Sequence, residues 1–231
     1  MAVFLRGLVG SAVAILFYTV LLFAPTWYLT GSFDWPRGWE FILLLIPLYV
    51  IATVWLSWTD PALLRDRTSL AGKQPLADKF ATALLVVFIV AWFLLIPWDV
   101  HRLQLLPVLP DKIGYWVGIA VFLSGCFLVW QTMRTNTFAA NIVKTHEREQ
   151  YVVDTGPYAY IRHPMYTSVF LLFTGIGLFL ESSTAALIAL PGTIIFFLPR
   201  MLIEERKLKA DLEGYADYMA RVRARLIPGI F

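Results

Sequence analysis

The chain has 231 residues, of which 59% are hydrophobic and 15% charged, with a mean hydropathy of +0.69 and a formal net charge of +3. A soluble domain is about a quarter charged, so the composition excludes a soluble globular fold and predicts a single membrane domain over residues 1–231. The lone Cys126 excludes an internal disulfide or a Cys-based metal site, and His101, His146 and His163 lie too far apart for a close ligand pair, so no metal is expected.

A membrane-spanning helix needs about 20 apolar residues. The first such run extends from about Leu8 to Tyr28, too long for a signal peptide, and reads as a retained span. Three more follow, at about Trp39–Trp58, Phe80–Trp98 and Ile113–Met133, with Pro47 placed to kink the second. "GYWVG", Gly114–Gly118, has the GxxxG spacing and reads as close packing within the bundle. Thr167–Ile203 would be about 55 Å long as one helix, too long for one pass. The polar break at Glu181–Thr184 divides it into a helical hairpin, with the second helix expected to be interrupted at Pro191-Gly192 and to end near Pro199. Leu208, Leu212, Tyr215 and Tyr218 recur at helical spacing and predict an amphipathic tail helix over Glu204–Arg225, lying along the surface. The expected fold is therefore an all-α polytopic membrane protein: four transmembrane helices (residues 1–133), then an elbow, a helical hairpin and a cytoplasmic tail helix (residues 134–231).

With the N-terminus in the cytoplasm, all of the 19 basic residues except Arg37, Arg102 and Lys112 fall on the cytoplasmic side. This bias predicts that both termini are cytoplasmic. It also accounts for the net positive charge, and nothing calls for nucleic acid.

Two stretches carry chemistry. "GPYAYIRHPMYTS", Gly156–Ser168, gathers charge, tyrosines and two prolines at the mouth of a span. Pro157 and Pro164 bar a regular helix across it, and Pro164 biases His163 away from the helical region. The expectation is a stiff extended elbow with unpaired backbone groups, which at membrane depth is tolerated only in protein or beside a cavity. An ordinary belt of interfacial Tyr and Arg is the alternative. In the second stretch, "PRMLIEERKLKAD", Arg200 and Glu204 are four apart and share a helix face. They read either as a surface ion pair or as groups returned by the hairpin to His163 and Tyr166. Glu205 fits a solvated E-E-R-K run.

The elbow, the hairpin, the EExxL element at Glu204–Leu208 and the closing "GYADY…RLIP" together resemble the isoprenylcysteine carboxyl methyltransferase family and its phospholipid-methyltransferase-like relatives. "DPALLRDR", Asp60–Arg67, is similar to an NPxLLxxR element of bacterial members. Ser168 stands where the family often has Gly, Gln150 where the eukaryotic branch has His, and Asp60 where the upstream element has Asn. These departures point to a bacterial-type branch and an inner-membrane location.

The resemblance implies an integral membrane methyltransferase that uses S-adenosylmethionine and takes a lipophilic or lipidated acceptor from the bilayer. It implies cofactor binding by Gln150, Tyr151, Val152, Val153, Tyr158, His163, Pro164, Met165, Tyr166 and Glu204, and substrate binding by Arg200. Arg162 belongs to the motif without an assigned partner. The residue types suit these roles: Tyr158 and Tyr166 can face a sulfonium cation, Glu204 can accept from an amine or ribose hydroxyl, and Arg200 can grip a carboxylate with two donors. Carboxyl O-methylation of a prenylcysteine-like substrate is the first reading; a phospholipid amine or small thiol acceptor stays open. So do two other classes, a sterol-type NADPH-dependent membrane reductase and a non-enzymatic membrane protein.

Overall fold

The computed structural model describes residues 2–68, 76–138 and 151–229. Among these the chain is helical, with no strand. The helices are α1 (Ala2–Thr30), α2 (Pro36–Thr59), α3 (Pro61–Thr68), α4 (Leu76–Trp98), α5 (Asp111–Thr135), α6 (Pro164–Phe179), α7 (Ser183–Asp211) and α8 (Tyr215–Arg221). One π-helical turn, Asp99–Leu103, continues α4, and a 3-10 turn, Gly156–Ala159, precedes α6. Five helices are long and apolar enough to cross a membrane: α1, α2, α4 with its π turn, α5 and α7. The shorter α6 has 16 residues, or about 24 Å at 1.5 Å per residue.

Apolar side chains cover these helices all round, as lipid-facing helices require. Their inward faces meet through aromatic stacking. Trp92 of α4 stacks on Phe173 of α6 with centroids 4.4 Å apart, and Phe88 stacks on Phe196 of α7 at 4.6 Å. The Trp92 indole N–H donates to the Ala185 carbonyl at 2.9 Å, satisfying its one polar atom inside the core. α5 and α6 approach most tightly. A Cβ on Gly118 would lie 2.5 Å from Phe179 N, and one on Gly175 2.4 Å from Phe122 N, so only glycine permits this contact. Of the GxxxG pair, Gly118 thus serves close packing within the bundle, while a Cβ on Gly114 would meet its nearest neighbour at an ordinary 3.5 Å.

α7 differs from its sequence expectation. It runs unbroken through Pro191 and Pro199 to Asp211. Each proline removes one backbone hydrogen bond, but neighbouring helices hold the helix together on both sides. Gly192 is there for proximity rather than interruption: a Cβ would sit 2.2 Å from the Phe88 ring. At 29 residues α7 is about 43 Å long and outreaches a hydrocarbon core of about 30 Å. Its last turns therefore carry Arg200, Glu204 and Glu205 to one mouth of the bundle. The separate tail helix over Glu204–Arg225 is also not formed. Its first part is the end of α7, and Gly214, with φ of +80°, turns the chain into α8. The predicted apolar stripe does cluster: Leu208, Leu212, Tyr215 and Tyr218 pack together with Val152 across the end of α7 and α8.

The two ends of the bundle differ in chemistry. At one end, Arg37 pairs with Asp111 and Glu181 and lies 4.2 Å over the Tyr115 ring. Buried Asp99 there accepts from the hydroxyls of Ser182 at 2.6 Å and Thr184 at 3.1 Å. The opposite end brings together the start of α1, α3, the end of α5, the elbow, the end of α7 and α8.

Candidate active site between the elbow and α7

The elbow is neither fully extended nor unpaired. Gly156, with φ of +57°, opens its 3-10 turn; a Cβ there would meet Thr135 Oγ1 at 2.7 Å, so both conformation and space demand glycine. Tyr158 ties this turn to the end of α5, because Asn136 Nδ2 donates to its hydroxyl at 2.9 Å. Burial pushes the Tyr158 phenol up from its ordinary value, so it stays protonated. The Tyr218 hydroxyl of α8 donates to the Tyr158 carbonyl, also at 2.9 Å.

The next residues pair with the C-terminal segment. Arg162 N–H donates to the Ala224 carbonyl and His163 N–H to the Arg225 carbonyl, each at 3.0 Å, and the Thr167 hydroxyl donates to the Leu226 carbonyl at 2.8 Å. Sequence reasoning missed this strap, because its partners lie some sixty residues apart and carry no periodic signal.

Side chains complete the joint. Glu205, only 4% exposed, accepts from His163 Nε2 and Arg225 Nη2, each at 3.2 Å, and forms an ion pair with Arg162 Nη1 at 3.2 Å. A carboxylate flanked by two guanidiniums stays ionised and can only accept, so the histidine presents Nε2–H to it. The solvated reading of Glu205 is thereby corrected, and Arg162 acquires its partner. A signal did exist: Glu205 follows Met201 by four and precedes Leu208 by three, which puts it on the apolar stripe of α7. Adjacent helix positions point about 100° apart, so Glu204 faces elsewhere.

Glu204 faces a cavity of about 1580 Å³ that runs from this mouth into the bundle. Tyr166 donates its hydroxyl to Glu204 Oε2 at 3.0 Å, and the ring stacks on His163 with centroids 5.4 Å apart. Arg200, 5% exposed, donates Nη1 to Thr82 Oγ1 at 3.3 Å, bridging α7 to α4. Tyr151, Val152, Val153, Tyr158, His163, Pro164, Met165, Tyr166, Arg200 and Glu204 all line the cavity; Tyr151 stands at its rim with 60% exposure. Gln150 lies outside the described residues. The inner cavity changes to an apolar wall of Phe41, Leu45, Phe93, Phe122 and Phe173. Chemically, then, one continuous space offers a carboxylate, an arginine and phenols at the mouth, and aromatic surface within.

Residues 113–212, from the first turn of α5 to the end of α7, match the phospholipid methyltransferase family. The matched segment carries the elbow, Arg200 and both glutamates, the same stretch on which the motif resemblance rests. More particularly, the chain is similar to the solved structure of a eukaryotic intramembrane Ras methyltransferase, isoprenylcysteine carboxyl methyltransferase. The identity is 18% over 96% of this chain and 87% of that chain, with a TM-score of 0.47. No curated protein matches the chain.

Proposed function

We propose that the protein is an integral membrane methyltransferase that uses S-adenosylmethionine to methylate a lipophilic acceptor, with carboxyl O-methylation of a prenylcysteine-like substrate as the leading reaction. The observation that carries this reading is the single cavity joining the Glu204–Tyr166 pair to an aromatic interior. Its volume of about 1580 Å³ accommodates a polar cofactor and an apolar chain together.

The residues fit the cofactor's parts. Glu204 has one oxygen engaged by Tyr166 and further acceptor capacity for an amine or ribose hydroxyl. The faces of Tyr158 and Tyr166 suit a cation. When bound, the cofactor supplies an activated methyl group on a sulfonium. What the chain contributes is placement. Arg200 holds an acceptor carboxylate close to α7, and the elbow, fixed by Glu205 and the strap, holds the opposite wall in register. Alignment of this kind accounts for several kcal/mol of a barrier, about 7–11 at most. A carboxylate nucleophile is already ionised, so no general base is required. Charge is neutralised as the two ligands meet, which a water-poor site favours.

A phospholipid amine is the second reading, favoured by the family match of residues 113–212. The basic residues support a cytoplasmic site with both termini inside, and the departures at Asp60, Gln150 and Ser168 support a bacterial inner membrane. The test is incubation of purified protein in lipid with methyl-labelled cofactor and a prenylcysteine, a phosphatidylethanolamine or a thiol. Label in the prenylcysteine ester is the expected result; label in the amine alone would replace the leading reading with the second, and no cofactor binding would overturn both.

A further inference from the structure

The cavity has a cationic group on the wall formed by α3, to which the reading above gives no task. Asp60 Oδ1 accepts from Leu63 N–H at 2.9 Å and fixes the first turn of α3. Leu63 and Leu64 are 0% and 4% exposed and dock the helix under α1, where a Cβ on Gly7 would meet Leu64 at 3.3 Å. Arg67 follows them by four and three positions and so shares their inward face. Its side chain lines the cavity, with Tyr49 of α2 and Tyr158 of the elbow as electrostatic neighbours.

Burial pulls the Arg67 guanidinium down from its ordinary value, but arginine starts so high that it stays charged at neutral pH. A protonated phenol such as Tyr158 solvates that charge without neutralising it. Arg67 makes further interactions within the protein, yet a guanidinium has five donors and can serve a ligand as well. A charge held against a cavity wall on a docked helix is costly to desolvate, and a charged group so placed in a cleft is a candidate for ligand binding. Surface solubility does not require it, since Arg65 of the same helix already faces solvent.

We propose that Arg67 is an anion-binding residue of this cavity and holds the carboxylate of a bound ligand. The inference rests on the cavity reading for its two possible sources: the amino-acid end of the cofactor, or the head of the lipophilic acceptor. In either case the α3 wall and the α7 wall grip the contents of the cavity from different sides, with Arg200 on the latter.

The experiment uses full-length protein in lipid nanodiscs and measures binding of four ligands by calorimetry. S-adenosylhomocysteine is paired with methylthioadenosine, which lacks the amino-acid end and with it the carboxylate, and palmitate is paired with its methyl ester. Arg67→Gln is expected to weaken one carboxylate ligand by about tenfold or more and to leave its uncharged partner unchanged. Loss on S-adenosylhomocysteine assigns the carboxylate to the cofactor; loss on palmitate assigns it to the acceptor. Should Arg67→Gln not fold, Arg67→Lys retains the charge but not the fork, and a weakening confined to carboxylates is expected from it too. Unchanged affinities, equal weakening of charged and uncharged partners, or a wild-type protein that binds no carboxylate would each overturn the proposal. A wild-type protein that binds palmitate through Arg67 but no adenosyl ligand would instead sink the methyltransferase reading and leave this inference standing.

Discussion

Arg162 of the elbow and Glu205 of α7 form an ion pair at 3.2 Å with both side chains 5% exposed, so the second glutamate of the E-E pair anchors the site wall while the first faces the cavity. Removing one partner of a buried pair strands the other, at a cost of about 3–5 kcal/mol. Glu205→Ala should therefore lower the melting temperature sharply in detergent, whereas Glu204→Ala should change it little. Comparable melting shifts for the two variants would refute this assignment of roles.

The cavity-facing glutamate makes the complementary prediction. Glu204→Gln keeps the shape but loses a charge-assisted acceptor worth about 1.5–3 kcal/mol, so cofactor affinity should fall about ten- to a hundredfold. Arg200→Ala should leave cofactor binding nearly intact and reduce transfer to a carboxylate acceptor. Calorimetry with the cofactor, followed by labelled-methyl transfer, reads both effects. Equal, small effects would restore a plain ion-pair reading of these residues.

The C-terminal strap is testable through Thr167, whose hydroxyl donates to the Leu226 carbonyl at 2.8 Å. Thr167→Val leaves that carbonyl without this donor and should cost about 1 kcal/mol. Truncation before Arg223 removes the strap, including the Arg225–Glu205 contacts, and should abolish cofactor binding while the spans still insert. Full cofactor binding by the truncated protein would show that the elbow holds its shape without the strap.

Glycine substitutions on α5 and α6 should separate close approach from mere spacing. Gly175→Ala forces a Cβ to 2.4 Å from Phe122 N and should cost about 1–3 kcal/mol or more. Gly114→Ala meets its nearest neighbour, the Leu178 carbonyl, at an ordinary 3.5 Å and should be tolerated. Thermal unfolding of the two variants compares them directly.

Orientation follows from the charge bias. A reporter fused after Phe231 should read as cytoplasmic, and a tag between the exposed Val108 and Leu109 should be reachable only from the opposite face. The turn at Glu181–Thr184 is a poor place for such a tag, because Ser182 and Thr184 are buried and bonded to Asp99. A C-terminus on the far side would place the cavity mouth away from the cytoplasm.

Composition and hydropathy by themselves determined that this is an all-helical membrane protein, and the runs near Leu8–Tyr28, Trp39–Trp58, Phe80–Trp98 and Ile113–Met133 became α1, α2, α4 and α5. That much is legible because a bilayer imposes length and apolarity on each span separately. The motif residues Tyr158, Tyr166, Arg200 and Glu204 converge on one cavity. Local rules failed where neighbouring elements supplied what a residue lacks. Pro191 and Pro199 break isolated helices, yet α7 continues because α4 and α6 pack along it. Glu205 looks solvated in an E-E-R-K run, yet it is buried because Arg162, His163 and Arg225 arrive from distant parts of the chain. The elbow's backbone looked unpaired because its partners, Ala224 and Arg225, are brought to it only when α7 and α8 fold back. Hydrogen bonds and charge pairs between remote segments leave no period in a sequence, so only the tertiary structure could decide them.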